Sequence, residues 1–114
     1  MLTIPFPPSV NRLWRQFRGR TILSKIGRDY RLAVAVALDD HGFHEIPSPI
    51  EVEVKLWAYV PDGRRRDLDN MLKASLDALT ACGIWEDDSQ IKKLSIEHCG
   101  IDRANPRLVV EVIV

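Results

Sequence analysis

The chain has 114 residues and a mass of 13.0 kDa, with 46% of its residues hydrophobic and 28% charged. Surface scaling gives such a chain about 6,300 Å² of exposed surface when folded, which suffices for a single domain, residues 1–114, around one modest core. The 16 Lys plus Arg balance the 16 Asp plus Glu, which excludes a uniformly basic coat protein and an acidic disordered tail.

Nucleic-acid binding is not excluded, because the charges are segregated. Residues 1–31 carry Arg12, Arg15, Arg18, Arg20, Lys25, Arg28 and Arg31 against Asp29 alone. No window approaches the ~18 consecutive apolar residues of a membrane span, and Met1 leads into Leu2–Phe6 without the basic-then-apolar opening of a signal peptide. Cys82 and Cys99 show neither a CxxC pair nor zinc-finger spacing, so they are expected to be reduced, buried thiols in a cytoplasmic protein, with a disulfide or metal role as the alternative.

In chain order, Leu2, Ile4 and Phe6 alternate until Pro7 and Pro8, which predicts a short edge strand. Residues 9–23 carry arginine every few positions without an apolar period and read as an exposed basic loop. A helix is predicted from Ser24, as N-cap, to about Leu38, with Ile26, Tyr30, Ala33, Val34, Ala37 and Leu38 near helical spacing and Gly42 beyond its end. Residues 50–60 alternate cleanly: Ile50, Val52, Val54, Leu56, Ala58 and Val60 face one way, Glu51 to Tyr59 the other. Trp57 and Tyr59, on the more polar face, are expected to cover a helix, with stacking on an unpaired base as the alternative. Pro61-Asp62-Gly63 is turn chemistry. A second helix is predicted from about Asp69 to Cys82, closed by Gly83, with an apolar stripe of Leu72, Leu76 and Leu79 flanked by Met71, Ala78 and Cys82. Strands follow at 91–99, with His98 partly buried, and at 107–114. The order β-α-β-α-β-β predicts an α+β domain with two helices packed on one mixed sheet.

The segment Arg64-Arg65-Arg66-Asp67-Leu68-Asp69-Asn70-Met71-Leu72-Lys73 is the chemically informative one. If residues 66–68 are extended, Asp67 and Asp69 point the same way. Asp69 sits where an N-cap belongs, with Leu72 as N3, and Lys73 follows one helical turn later. Glu86-Asp87-Asp88 lies in the loop after this helix, and an acid from it could meet Asp67 and Asp69. Clustered carboxylates repel unless a cation is present, and oxygen-only ligation suits Mg²⁺ or Mn²⁺ rather than zinc. Beside three arginines, such a centre suits phosphodiester cleavage, with Lys73 neutralising charge on the phosphate or orienting the water. The plainer alternative makes Asp69 a helix cap, Lys73 its i+4 ion-pair partner with Asp77 continuing the stripe, and Asp87-Asp88 a solvated turn.

These residues resemble the RusA family of Holliday-junction resolvases. The matching pieces are Pro7-Pro8-Ser9-Val10-Asn11-Arg12, Arg66-Asp67-Leu68-Asp69-Asn70 through Lys73, Leu76-Asp77-Ala78-Leu79, and Gly83-Ile84-Trp85-Glu86-Asp87-Asp88-Ser89-Gln90-Ile91. The resemblance implies a homodimeric, Mg²⁺-dependent enzyme that nicks two opposed strands of four-way junction DNA, leaving 5′-phosphate and 3′-hydroxyl ends. It places catalytic and metal-binding aspartates at Asp67, Asp69 and Asp88, an essential lysine at Lys73, and Asp87 as a further ligand candidate. The family pattern often has an aromatic where this chain has Leu76. One acidic centre per chain and two symmetric cuts also point to a two-fold dimer. Asn11, Arg12, Arg15, Arg18, Arg64, Arg65 and Arg66 are the candidate DNA contacts. Trp85 is assigned to packing, whereas Trp14 suits either an anchor or a DNA contact. Two other readings stand beside this one: a non-catalytic branched-DNA-binding module, and a metal nuclease acting on another branched or single-stranded DNA.

Overall fold

The computed structural model describes every residue from Met1 to Val114. In chain order the elements are β1 (Leu2–Pro5), α1 (Val10–Leu13), β2 (Trp14–Phe17), β3 (Arg20–Leu23), α2 (Lys25–Asp40), β4 (Val52–Val60), α3 (Leu68–Ala81), β5 (Ile91–Ile101) and β6 (Arg107–Ile113). This is the expected α+β architecture, with one helix and a hairpin more than the sequence suggested.

Period-two alternation makes β4 the centre of the sheet, whose strand order is β1-β6-β4-β5. Val52, Val54, Leu56, Ala58 and Val60 are buried on one face. β4 pairs antiparallel with β6 and parallel with β5, and α3 is the crossover that a parallel pair requires. Helix α2 contributes Tyr30, Val34 and Leu38 to the core, and α3 contributes Met71, Ala78 and Leu79. Leu108, Val110, Leu2 and Ile4 complete it from β6 and β1. Each large apolar side chain buried here stabilises the fold by roughly 1.5–3 kcal/mol. Leu76, where the family pattern often has an aromatic, is half-buried against this core.

Trp57 and Tyr59 do not cover a helix. The helices pack on the even-numbered face of β4, and these rings lie half-buried on the other, where the Arg107 guanidinium sits 4.0 Å from the Tyr59 ring centroid. His98 is exposed rather than partly buried, and its Nδ1 accepts a hydrogen bond from the Gly100 N–H at 3.2 Å. No helix is long and apolar enough to cross a membrane. The accessible surface, 7122 Å², exceeds the scaling value of about 6,300 Å².

A hairpin replaces the basic loop expected at 9–23. After the single turn of α1, β2 and β3 pair in register from Trp14↔Leu23 to Phe17↔Arg20. Arg18 and Gly19 form the turn with φ of 50° and 75°, the left-handed pair that a tight two-residue hairpin connection needs. Ser24 locks the hairpin base. Its N–H donates to the Leu13 carbonyl at 2.8 Å, its hydroxyl donates to the Arg12 carbonyl at 2.6 Å, and its Oγ caps α2 by accepting from the Gly27 N–H at 3.1 Å.

Gly27 is buried where α2 meets this base, and an added Cβ would lie 2.6 Å from the Leu13 carbonyl oxygen and 2.7 Å from Leu23 Cδ1. Alanine gains up to about 1 kcal/mol of helix propensity, but overpacking against backbone costs roughly 1–3 kcal/mol. Gly27→Ala is therefore expected to lower the thermal unfolding midpoint by several degrees. An unchanged midpoint would mean that the hairpin base yields freely.

Candidate active site

The site is built on the turn that leaves β4 and enters α3. Asp62 organises it: Oδ1 accepts from the Arg64 N–H at 2.9 Å and from Arg66 Nη1 at 2.8 Å. Arg66 also donates to the Asp62 carbonyl at 3.2 Å and lies 5.4 Å from the Phe6 ring centroid. The Arg66 hydrogen bond, joined by the Arg64 N–H, holds the Asp62 carboxyl below the usual carboxylate range. With Arg66 fixed, the chain enters α3 along one wall of a cleft of ≈ 210 Å³. Phe6, Pro7, Pro8 and Ser9 form the facing wall, and Arg65, Asp67 and Asn70 also line the cleft. Asn70 Oδ1 accepts from the Val10 N–H at 3.1 Å, tying α1 to the first turn of α3. Asn11 and Arg12, on α1, are exposed, as are Arg64 and Arg65.

The N-cap of α3 is Asp67, not Asp69, and Asp69 lies in the first turn. Leu72 is therefore not the N3 residue; that position belongs to Asn70. The reason is local: the backbone is already extended at Asp67, and the helix starts at Leu68, two residues earlier than an Asp69 cap would place it. Asp67 makes no side-chain cap hydrogen bond, although its position invites one. Asp67, Asp69 and Lys73 are all exposed, and none of them takes part in an ion pair. Neither the cap nor the i+4 ion pair of the plainer reading is realised. The positive end of the helix dipole favours two carboxylates here, by about 0.3–1 kcal/mol each.

Asp88 does not join them in the single chain, and no three His, Cys, Asp or Glu side chains form a metal-holding group. The parallel pairing of β5 with β4 explains this. Its register sets Ile91 beside Val52, so residues 86–90 lie near the start of β4, whereas Asp67 follows its end. Helix α3, about 20 Å long, separates the two. The loop is held rigidly by the buried Gln90, whose Nε2 donates to the carbonyls of Ile46, Pro47 and Ile50 at 3.3, 3.2 and 2.9 Å. Its Oε1 accepts from the Asp87 N–H at 2.9 Å, while Asp87 Oδ1 accepts from the Ser89 N–H at 3.1 Å. That N–H chiefly holds the Asp87 carboxyl down. Asp87 is thus occupied as a cap. Asp88 is pushed up, first by its hydrogen bond with Asp87, then by burial and by the charges of Asp87 and Asp77.

Asp62 stands in the expected turn, but its anchoring of Arg66 was not foreseen, nor were the structural roles of Asn70 and Gln90. Asn70 lies inside the informative segment, three residues past the N-cap, and that position was the available signal. For Gln90 the signal was the spacing from Asp87, which fits the capping box that the two form, whereas its bonds to carbonyls 40 and more residues away left no trace in the sequence.

The family model described as Endodeoxyribonuclease RusA matches residues 5–113. The chain is 46% identical over 90 residues to the crossover junction endodeoxyribonuclease rusA of Enterobacteria phage 82. It is 44% identical to the protein of that name from Escherichia coli strain K12 and 43% identical to that of Shigella sonnei strain Ss046. Each alignment covers 79% of this chain and 74% of the relative. A cleft between an arginine-bearing turn and a proline-rich segment, with free carboxylates at a helix start, is thus carried on a chain that belongs to the RusA family of endodeoxyribonucleases.

Proposed function

We propose that the chain resolves Holliday junctions as a homodimer, in DNA recombination and repair, by paired nicks that leave 5′-phosphate and 3′-hydroxyl ends. Such an enzyme works in the cytoplasm, at the nucleoid. The observation that carries this reading is the pair Asp67 and Asp69 with Lys73, exposed and unpaired beside an arginine-lined cleft. The donors are carboxylate oxygens free of protein partners, the set that Mg²⁺, or Mn²⁺ in its place, takes together with water and phosphate. When bound by Asp67, Asp69 and Asp88, the metal supplies an acidified water and charge for the leaving oxygen.

The chain's own groups do the positioning. Arg64 and Arg65 grip phosphates from the exposed turn, and Arg66 adds a guanidinium already anchored on Asp62. Lys73 holds its ammonium beside the phosphate as negative charge develops. Within one chain Asp88 stands a helix length from Asp67 and Asp69, so each centre needs the partner subunit's Asp88. A two-fold axis supplies it twice. A hybrid dimer of Asp69→Asn and Asp88→Asn chains then keeps one complete centre and nicks once, whereas centres confined to single chains leave it inert.

The test of the function is a synthetic four-way junction with Mg²⁺ or Mn²⁺, read for symmetric paired nicks. No nicking with either ion overturns the enzyme reading. A panel of flaps, forks and single strands shows whether four-way DNA is preferred. DNA binding is assigned to Asn11, Arg12, Arg15 and Arg18 together with the arginines of the turn. Replacing Arg12, Arg15 and Arg18 by alanine is expected to flatten the slope of log affinity against log salt by about 0.9 for each phosphate that is no longer neutralised. An unchanged slope removes this segment from the interface.

A further inference from the structure

The β2–β3 hairpin carries an aromatic ring that the fold does not use. Phe17 is the last residue before the turn and is 47% exposed, and Trp14 to Phe17 bury no face of their strand. Two-stranded ribbons are marginal on their own, yet this one is fastened at both ends. Ser24 clamps its base, and Gln16 Nε2 donates to Thr21 Oγ1 at 2.8 Å near its tip. The guanidinium carbons of Arg15 and Arg18 lie 5.4 and 5.3 Å from the Phe17 ring centroid, and Arg20 is its partner across the ribbon. The only acid in residues 1–31 is Asp29, which pairs with Lys25 at 2.8 Å.

A ring edged by two or three cations matches one chemical unit, a nucleotide, which offers a π-face and an anionic phosphate a few ångströms apart. We infer that Phe17, at the hairpin tip, stacks on a nucleobase left unstacked at the branch of the DNA, while Arg15 and Arg18 move from the ring edge to the flanking phosphates. An exposed cation–π contact is weaker than base stacking, so that exchange is favourable. In paired duplex the π-faces are already covered by neighbouring bases, so the ring has nothing to take. Phe17 is therefore a determinant of selectivity for branched over linear DNA, and its role rests on the junction reading above. The ribbon stands over the middle of α3, since Trp14 and Leu23 at its base line the same small cleft as Asp77. Phe17 is absent from the cleft lined by Arg65, Arg66 and Asp67, so its assigned role is stacking rather than catalysis.

The experiment compares wild type, Phe17→Ala and Phe17→Trp for binding to a four-way junction and to a linear duplex of the same arms. Chelator is present so that nothing is cut. Phe17→Ala is expected to weaken junction binding about 5- to 150-fold, the range that stacking contributes per base. Its duplex affinity should change less than about twofold, and its salt slope should match wild type because every phosphate-neutralising cation is retained. Phe17→Trp should restore the junction affinity. Three results overturn the inference alone: junction binding unchanged in Phe17→Ala, junction and duplex weakened equally, or a shift of the variant's mass in solution, which makes the tip a protein contact. A wild type that binds junction and duplex alike overturns the junction reading itself, and this inference with it.

Discussion

Asp69→Asn is expected to lower the rate of junction cleavage by about 10³-fold while leaving binding intact or stronger. Asparagine has the shape of aspartate but lacks its charge, so a cation loses a ligand that an amide oxygen replaces poorly. The side chain is exposed and unpaired, which means that its replacement opens no cavity. The helix start loses one favourable charge, worth about 0.3–1 kcal/mol, too little to unfold the domain. Phosphates approaching the cleft meet one negative charge fewer. Single-turnover cleavage and gel-shift affinity, measured on the same preparation, separate the two effects. Cleavage at the wild-type rate would remove Asp69 from the centre, and parallel loss of binding and cleavage would make it a folding residue.

The largest expected stability effect belongs to Trp85. It is fully buried between α3 and the start of β5, and its Nε1 donates to Thr80 Oγ1 at 2.8 Å. It also forms the bridge with Ile46 that draws the chain before β4 against this loop. Truncation of a buried tryptophan to alanine costs roughly 3–5 kcal/mol, against a total of about 6–17 kcal/mol for a chain of this length. Trp85→Ala should therefore lose between about a fifth and four-fifths of the stability in urea titrations. Trp85→Phe keeps most of the apolar area but not the indole donor, and should lose only about 1–2 kcal/mol. Near-equal losses in the two variants would show that the hydrogen bond, not the packing, carries the effect. Because Trp85 holds the loop that bears Asp88, partial unfolding there should depress cleavage before the core melts.

Much of the architecture was legible because it is written in local periods. The alternation of 50–60 produced β4, and the spacing of Leu72, Leu76 and Leu79 produced α3, each within two residues of the observed ends. Ser24 was readable as a cap because it precedes the first periodic residue. The hairpin was not readable: its strands are four residues long and bury no apolar face, so they carry no period. Only Arg18-Gly19 hinted at it, and Arg-Gly is a weak turn signal beside Asn-Gly. Asp67, Asp69 and Lys73 were legible as neighbours because they lie within the first turns of one helix. The placement of Asp88 was not, since it depends on which direction β5 runs along β4. A helix between two strands favours the parallel arrangement, and applied to residues 52–101 that rule would have set Asp88 at the far end of α3.

The same parallel pairing leaves β5 as the outermost strand on one side of the sheet, eleven residues long. A free row of backbone donors and acceptors of that length is a template for edge-to-edge polymerisation. The chain blunts it in two ways. Lys92 and Lys93 place adjacent positive charges at its beginning, where a second copy of the strand would bring two more. Register shifts opposite Val52/Glu53 and Ala58/Tyr59 break the regular ladder, and the opposite edge carries Pro5, which has no N–H to offer. Borders of this kind disfavour growth of the sheet from copy to copy, which leaves the pairing of two chains to other surfaces.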